Sequence, residues 1–209
     1  MYNLKQVKQI YSVLGKYPLY YRSMVLGLSK LRKKAVEKLN LEKGDRVLEV
    51  ACGTGLNFPL LEEKVGKQGK ITGVDYVEEM IEASKKLVKR KSFKNITLIK
   101  KDAARLNIKE KFDAVLSTVG ISAIPDHVSA LKQIKKILKK DGTLVVLDGK
   151  KFDKPMGFLN FLITLLRWSK SFDPNKEIIK DMKKIFNKVE IEKYFLGSVF
   201  IAKVKHEKI

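Results

Sequence analysis

Between residues 46 and 75 the hydrophobic pattern changes period twice, and this constrains the fold more than any other feature. Arg46-Val47-Leu48-Glu49-Val50-Ala51 is a short run rich in valine, which reads as a buried strand. It leads into Cys52-Gly53-Thr54-Gly55-Leu56-Asn57. The small residues at 51, 53 and 55 let the backbone turn tightly and approach a ligand closely. A helix over 57–65 follows, then a strand over Lys70–Asp75. Strand, glycine-rich turn, helix and second strand make a unit whose turn opens a helix N-terminus to a ligand.

The pattern repeats downstream. Strands are expected at 96–101, 112–119 and 143–148, and helices at 77–91 and 126–139. The second of these helices carries Val128, Leu131, Ile134 and Leu138 on one face, with Asp126 as its cap and Gly142 just past its end. Such alternation implies an α/β fold with a doubly wound, mostly parallel sheet. After Asp148 come an apolar helix over 156–168, a helix over 175–186, and β-rich runs at 189–195 and 198–204. Only Leu196-Gly197 separates those runs, so they pair antiparallel at the end of a seven-stranded sheet. Upstream, Leu4, Val7, Ile10 and Leu14 mark an amphipathic helix that Tyr17-Pro18-Leu19-Tyr20-Tyr21 breaks. Ser23 is then placed to cap a helix carrying Leu26, Leu28, Leu31, Ala35 and Leu39. Residues 1–209 read as one domain: a helical lid over 1–41, a ligand-binding core over 42–150, and the apolar helix and hairpin over 151–209.

Charge sorts along the chain. The 44 Lys+Arg against 23 Asp+Glu give a formal net charge of +21. Residues 1–41 carry nine bases and one acid, whereas residues 42–82 carry five bases and nine acids. The acidic island holds the glycine-rich turn. One cysteine and two histidines exclude a disulfide framework and a cysteine-based zinc cluster, and no metal is expected. The apolar stretch near residue 160 is too short for a spanning helix, and the N-terminus lacks a signal-peptide pattern.

A dinucleotide site wants G-x-G-x-x-G with pyrophosphate on the helix N-terminus. Here position 58 is Phe, and Glu49 precedes the turn. An acid there repels pyrophosphate and suits a ligand bearing an ammonium group and a sulfonium. No Gly-Lys-Ser/Thr follows, which excludes a P-loop. Asp75, 20 residues past Gly55, is placed to accept hydrogen bonds from two ribose hydroxyls. A cationic nucleoside, S-adenosylmethionine, fits these requirements.

With these residues in view the sequence resembles the class I S-adenosylmethionine-dependent methyltransferases over most of its length, especially residues 40–150. Val47 to Gly55 looks like the first family motif, with Ala51 in place of its first glycine. Gly73-Val74-Asp75 matches the ribose-binding acid, followed by Tyr76 and by Met80 near the adenine. Lys101-Asp102-Ala103 matches the adenine-binding position. Phe112-Asp113-Ala114-Val115, Ile124-Pro125-Asp126 and Leu138 to Leu144 match later motifs. The resemblance implies a Rossmann-like fold and a cofactor site of Glu49, Ala51, Gly53, Gly55, Asn57, Asp75, Tyr76, Met80, Asp102, Ala103 and Thr118. Cys-Gly-Thr-Gly-Leu-Asn-Phe is most similar to the branch of quinone-biosynthesis and phospholipid N-methyltransferases, which carry a tyrosine-containing N-terminal lid.

Cys52 reads as a small apolar filler of the turn. His127 and Tyr20 are the candidate catalytic groups, with a surface histidine and a packed tyrosine as the plainer alternatives. Helix 156–168 reads equally as core or as an interfacial segment. The expected acceptor is a lipid or small molecule, first a phospholipid head-group amine of the phosphatidylethanolamine type. A quinone-precursor ring carbon and a tRNA or rRNA base are the alternatives. The basic surface suits an anionic membrane, so the expected location is cytoplasmic with a peripheral position on the inner face. Nucleic acid is the weaker partner expectation.

Overall fold

The computed structural model describes residues 3–160, 173 and 175–206. The chain opens with α1 (Leu4–Lys16), α2 (Pro18–Met24), a 3-10 turn (Leu26–Leu28) and α3 (Ser29–Glu37). Then follow β1 (Arg46–Val50), α4 (Phe58–Val65), β2 (Lys70–Asp75), α5 (Glu78–Arg90), β3 (Ile96–Lys100), β4 (Phe112–Thr118), α6 (His127–Ile137) and β5 (Leu138–Gly149). The last elements are α7 (Ile178–Ile185), β6 (Glu190–Tyr194) and β7 (Val199–Lys205). The seven strands form one sheet in the order β3-β2-β1-β4-β5-β7-β6. Parallel pairing links β1 to β5, while β7 runs antiparallel to both β5 and β6. The sheet and its closing hairpin thus match the expected α/β class.

Alternation along the strands divides the core into two layers. Leu48, Val50, Val74, Val115, Leu144 and Val146 face one side, where α6 and α7 bury Leu131, Ile134, Ile178 and Met182 against them. Val47, Ile71, Ala114, Leu116, Val145 and Leu147 face the other, covered by Leu31 and Ala35 of α3 and by Phe58 and Leu61 of α4. Both faces being covered, the central strands are apolar on both sides. The strand order reverses between β1 and β4, at the C-terminal ends where the glycine-rich turn emerges. This is where an open α/β sheet leaves a crevice for a ligand.

Two expectations need correction, the Ser23 cap and the end of the helix over 126–139. Pro18 does not merely end α1: it occupies the first turn of α2, where its missing N–H costs nothing. Ser23 therefore lies inside α2, its Oγ donating to Tyr20 O at 2.7 Å, and caps nothing. Helix α6 keeps Asp126 as its cap, with Oδ1 accepting from Ser129 N at 3.0 Å, but it ends at Ile137. Gly142 belongs to β5 and not to a helix cap. A Cβ there would come within 2.9 Å of Leu138 Cγ and 3.0 Å of Asp113 O, so the bulge at 139–142 needs glycine for close approach. Of the apolar helix expected over 156–168, Met156–Leu159 form a 3-10 turn; residues 161–168 lie outside the described residues.

Candidate functional site

The turn after β1 is held from below by Phe58. Gly55 adopts φ +78°, and a Cβ there would meet the Phe58 ring at 2.6 Å; one at Gly73 would meet it at 2.7 Å. The fully buried ring therefore fills the space that two glycines leave. Phe58 stands where a dinucleotide motif would carry its third glycine, and packing explains its presence. Ala51 takes φ +53°, a left-handed conformation that costs a non-glycine residue roughly 1–2 kcal/mol. Its Cβ lies where a Cβ on Gly120 would come within 2.7 Å, so Gly120 lets the loop after β4 press against the turn. Val119, at the end of β4, also holds a positive φ of 54°. For a β-branched residue this is strain of the kind kept at functional sites.

Two carboxylates sit at this turn, Glu49 buried and Asp75 half-buried. Asp75, at the end of β2, accepts from Gly53 N at 2.8 Å through Oδ2 and from Val77 N at 2.9 Å through Oδ1. Burial pushes its pKa up against those hydrogen bonds. Glu49 is 1% exposed. Its Oε1 accepts from Asn57 Nδ2 at 2.6 Å, while Oε2 is buried without a partner. Burial raises its pKa to about 8, opposed by the Asn57 hydrogen bond and the nearby Arg32 charge. A buried carboxylate oxygen left unpaired is costly unless a ligand completes it.

Asn57 and Thr118 belong to the network behind the turn. Asn57 Nδ2 also donates to Thr118 Oγ1 at 2.8 Å. Arg32 of α3 donates through Nη1 to the same Thr118 oxygen at 2.6 Å and to Asn57 Oδ1 at 3.3 Å. Its Nε is buried and unpartnered. Arg32 thus ties the N-terminal helices to Glu49 through Asn57. Sequence reasoning missed it because it stands in Lys30-Leu31-Arg32-Lys33-Lys34, a run that reads as a solvated face. The available signal was helix phase, since Leu31, Arg32, Ala35 and Val36 share the buried side of α3.

The cleft in front of the turn spans about 580 Å³, open solvent at its mouth included. Ala51, Gly53, Asp75, Tyr76, Met80, Asp102 and Ala103 line it. Glu49, Gly55, Asn57 and Thr118 lie behind that surface and shape it. Asp102 caps a short 3-10 turn, its side chain accepting from Ala104 N at 3.0 Å. Leu4, Val7 and Tyr11 of α1 and Tyr21 of α2 also line the cleft. The Tyr21 hydroxyl lies 3.6 Å from where a Cβ on Gly53 would sit, and burial raises its pKa. On the far wall, Lys176 Nζ donates to Ser122 O at 2.8 Å and to Ile124 O, steadying the loop that lines the cleft. Burial lowers the Lys176 pKa to about 8.

The two candidate catalytic groups are elsewhere. Tyr20 is 61% exposed and its neighbour Tyr21 reaches the cleft instead, because α2 begins at Pro18 and sets a different helical phase. His127 does not line the cleft; its Nε2 is 3.0 Å from Asp181 Oδ2 on α7. Cys52 is buried in the turn with its pKa raised by burial, as expected of a filler.

Comparison with known proteins bears on this arrangement. A family model described as a methyltransferase domain matches residues 41–190. The chain belongs to the class I S-adenosylmethionine-dependent methyltransferases. This methyltransferase is 38% identical to the demethylmenaquinone methyltransferase of Staphylococcus epidermidis over 118 residues, 56% of its length and 48% of that protein's. It thus spans about half the length of that relative. Against the demethylmenaquinone methyltransferase of Staphylococcus aureus it is 32% identical over 179 residues, covering 81% of itself and 73% of that protein. A solved SAM-dependent methyltransferase from Aquifex aeolicus shares the fold at a TM-score of 0.62 and 19% identity, with 84% and 89% of the two chains covered. The methyltransferase's own residues fit the family cofactor. Glu49 offers an unpaired buried carboxylate oxygen, Gly53 leaves its Cβ space open to the cleft, and Asp75 holds an acid at the end of β2.

Proposed function

We propose that the protein transfers a methyl group from S-adenosylmethionine to a ring carbon of a small apolar acceptor of the demethylmenaquinone type. The observation that carries this reading is the 32% identity to the Staphylococcus aureus enzyme across 81% of this chain. The cleft walls agree with it in character: Val7, Tyr11, Val119, Ala123, Ile124 and Pro125 present apolar surface to an acceptor. The phospholipid amine expected first from the sequence gives way to the ring acceptor that was its alternative, since the relatives named above are quinone-type enzymes.

Residues of this chain would hold the cofactor by charge and shape. Glu49 Oε2 would take the ammonium end, and the unpaired Arg32 Nε would be the complementary group for the carboxylate beside it. Asp75 would accept from the ribose hydroxyls, and Asp102 from the adenine amine. When bound, the cofactor supplies a methyl group on an electrophilic sulfonium. Methyl transfer of this kind is an in-line displacement, so the protein's main contribution is positioning and exclusion of water. Tyr21 and Tyr11 roof the cleft and keep water out; Tyr21, its pKa raised, stays a neutral hydroxyl there.

The test is transfer of labelled methyl to a naphthoquinol carrying a short isoprenoid chain, presented in detergent micelles, with phosphatidylethanolamine vesicles and bulk tRNA in parallel. The label is expected on the naphthoquinol ring. Label in the phospholipid or the RNA, with none on the ring, would overturn the acceptor assignment.

A further inference from the structure

Five large hydrophobic side chains within a span of 14 residues are left facing solvent at the N-terminal helices. Val13 is 56% exposed, Tyr17 63%, Leu19 77%, Tyr20 61% and Leu26 60%. Single exposed hydrophobics need no explanation, but five within one short segment mark an interaction surface. In α2 the cleft takes Tyr21, while Pro18, Leu19 and Tyr20 stay outside. A helix this short cannot be stable on propensity alone.

The charge around this face is predominantly positive, Glu79 and Glu82 of α5 lying beside Leu19 among Lys16, Arg22, Lys86 and Arg90. Lys5, Lys8, Lys16, Arg22 and Lys30 surround it, and no Asp or Glu occurs before Glu37. The acid that α1 does meet, Glu79 on α5, is engaged by Ser12 Oγ at 2.8 Å. Aliphatic and tyrosine side chains set mainly among bases are the composition of an interfacial segment. The rings sit at head-group depth, the aliphatics enter the acyl boundary, and the bases meet anionic lipid. A nucleic acid backbone would meet the bases but has no apolar partner for Leu19 and Leu26.

We propose that the outer face of α1, α2 and the following 3-10 turn docks on an anionic lipid bilayer. The opposite face of the same helices lines the cleft through Leu4, Val7, Tyr11 and Tyr21. Docking therefore brings the mouth of the cleft to the lipid surface, where an apolar acceptor enters without crossing water. That last consequence rests on the acceptor reading above; the docking itself does not.

The experiment is co-sedimentation of the full chain with extruded vesicles, either of phosphatidylcholine alone or with phosphatidylglycerol as the anionic component. Binding is expected to the anionic vesicles and to fall at least about tenfold in the double variant Leu19→Ser, Leu26→Ser, which removes two inserted aliphatics. Cofactor affinity measured by calorimetry should be the same in both proteins, since neither residue touches the cleft. A second variant, Lys16→Glu with Arg22→Glu, should also lose vesicle binding. Equal vesicle binding by the serine variant and the parent would overturn the proposal, as bases alone would then account for it. So would a patch covered by a second copy of the chain, seen as a dimer that the serine substitutions dissociate and that does not bind vesicles. Retention by tRNA with none by vesicles would overturn it too. Failure of methyl transfer to the naphthoquinol with vesicle binding intact would strike the acceptor reading and leave the docking surface standing.

Discussion

Residues 46–75 hold a buried Glu49 and a half-buried Asp75 at a turn tied down by hydrogen bonds, whereas residues 4–28 carry bases and bare apolar side chains on short helices. The first region is a floor: Glu49, Asn57, Thr118 and Asp75 are each fixed by at least one partner, over an aromatic ring packed between glycines. The second is a roof whose α1 packs closely on α5, while α2 makes its main contacts with its own sequence neighbours. Val7 and Leu14 pack on Val77 and Met80, and a Cβ on Gly15 would come within 2.6 Å of the Glu79 backbone, which lets α1 lie flat on α5. Preorganised polar groups suit a charged cofactor, because their orientation need not be assembled at each turnover. A roof built of short N-terminal helices suits a site that must open to admit an acceptor. Arg32 joins the two, since it comes from the N-terminal helices and bonds to the floor.

The sharpest way to break this contrast is through Phe58. Phe58→Ala leaves a cavity beneath the cofactor turn and should cost about 3–5 kcal/mol of folding stability. On the roof, Leu19→Ser changes a side chain that is 77% exposed and should stay within about 0.5 kcal/mol of the parent. Urea unfolding of both variants measures the two numbers on one scale. Comparable losses would mean that the roof is as tightly built as the floor.

The floor was legible because its chemistry is written in local spacing. Gly53, Gly55 and Asp75 follow from strand ends and a tight turn, and no long-range contact is needed to find them. The roof was only half legible. Pro18 was taken to break a helix, yet its fixed φ also starts one, and this single choice decides whether Tyr20 or Tyr21 faces the cleft. Arg32 was hidden by composition: it is one of six arginines among 44 basic residues, and only the phase of α3 separates it from its lysine neighbours. The start of β5 was missed because Leu138 pairs with Phe112 across a bulge, a tertiary pairing that helical periodicity outweighed.

A smaller effect separates the two regions by pH. Glu49 has a pKa raised to about 8 by burial, so below that pH the empty site holds it protonated. A bound ammonium group favours the carboxylate, and binding then releases a proton. The sign follows: cofactor affinity should rise with pH from 6 to 7.5, by up to about tenfold per unit. The same raised pKa makes folding of the free protein take up a proton, so that its contribution to stability falls as pH rises from the ordinary glutamate range toward 8. Glu49→Gln keeps the shape of the side chain and should flatten the affinity profile, while variants of the roof leave its slope unchanged. Calorimetry in buffers of different ionisation enthalpy reads the released proton directly. A flat profile in the parent would place the ionised carboxylate in the empty site.

The smallest expected effect tests whether the floor is strained as well as fixed. Ala51 holds a left-handed backbone where a glycine would be at ease. Ala51→Gly relieves roughly 1–2 kcal/mol of steric cost, and against that glycine loses about 0.5–1 kcal/mol more chain entropy on folding. The methyl contact opposite Gly120 is also lost. A net gain of about 0.5 kcal/mol is expected, visible as a rise in Tm of a few degrees or less, with cofactor affinity retained because the backbone path is the one glycine prefers. If the variant is instead destabilised, the packing of Ala51 against the loop after β4 outweighs its strain. Alanine would then stand at this position because it locks the floor to the far wall of the cleft.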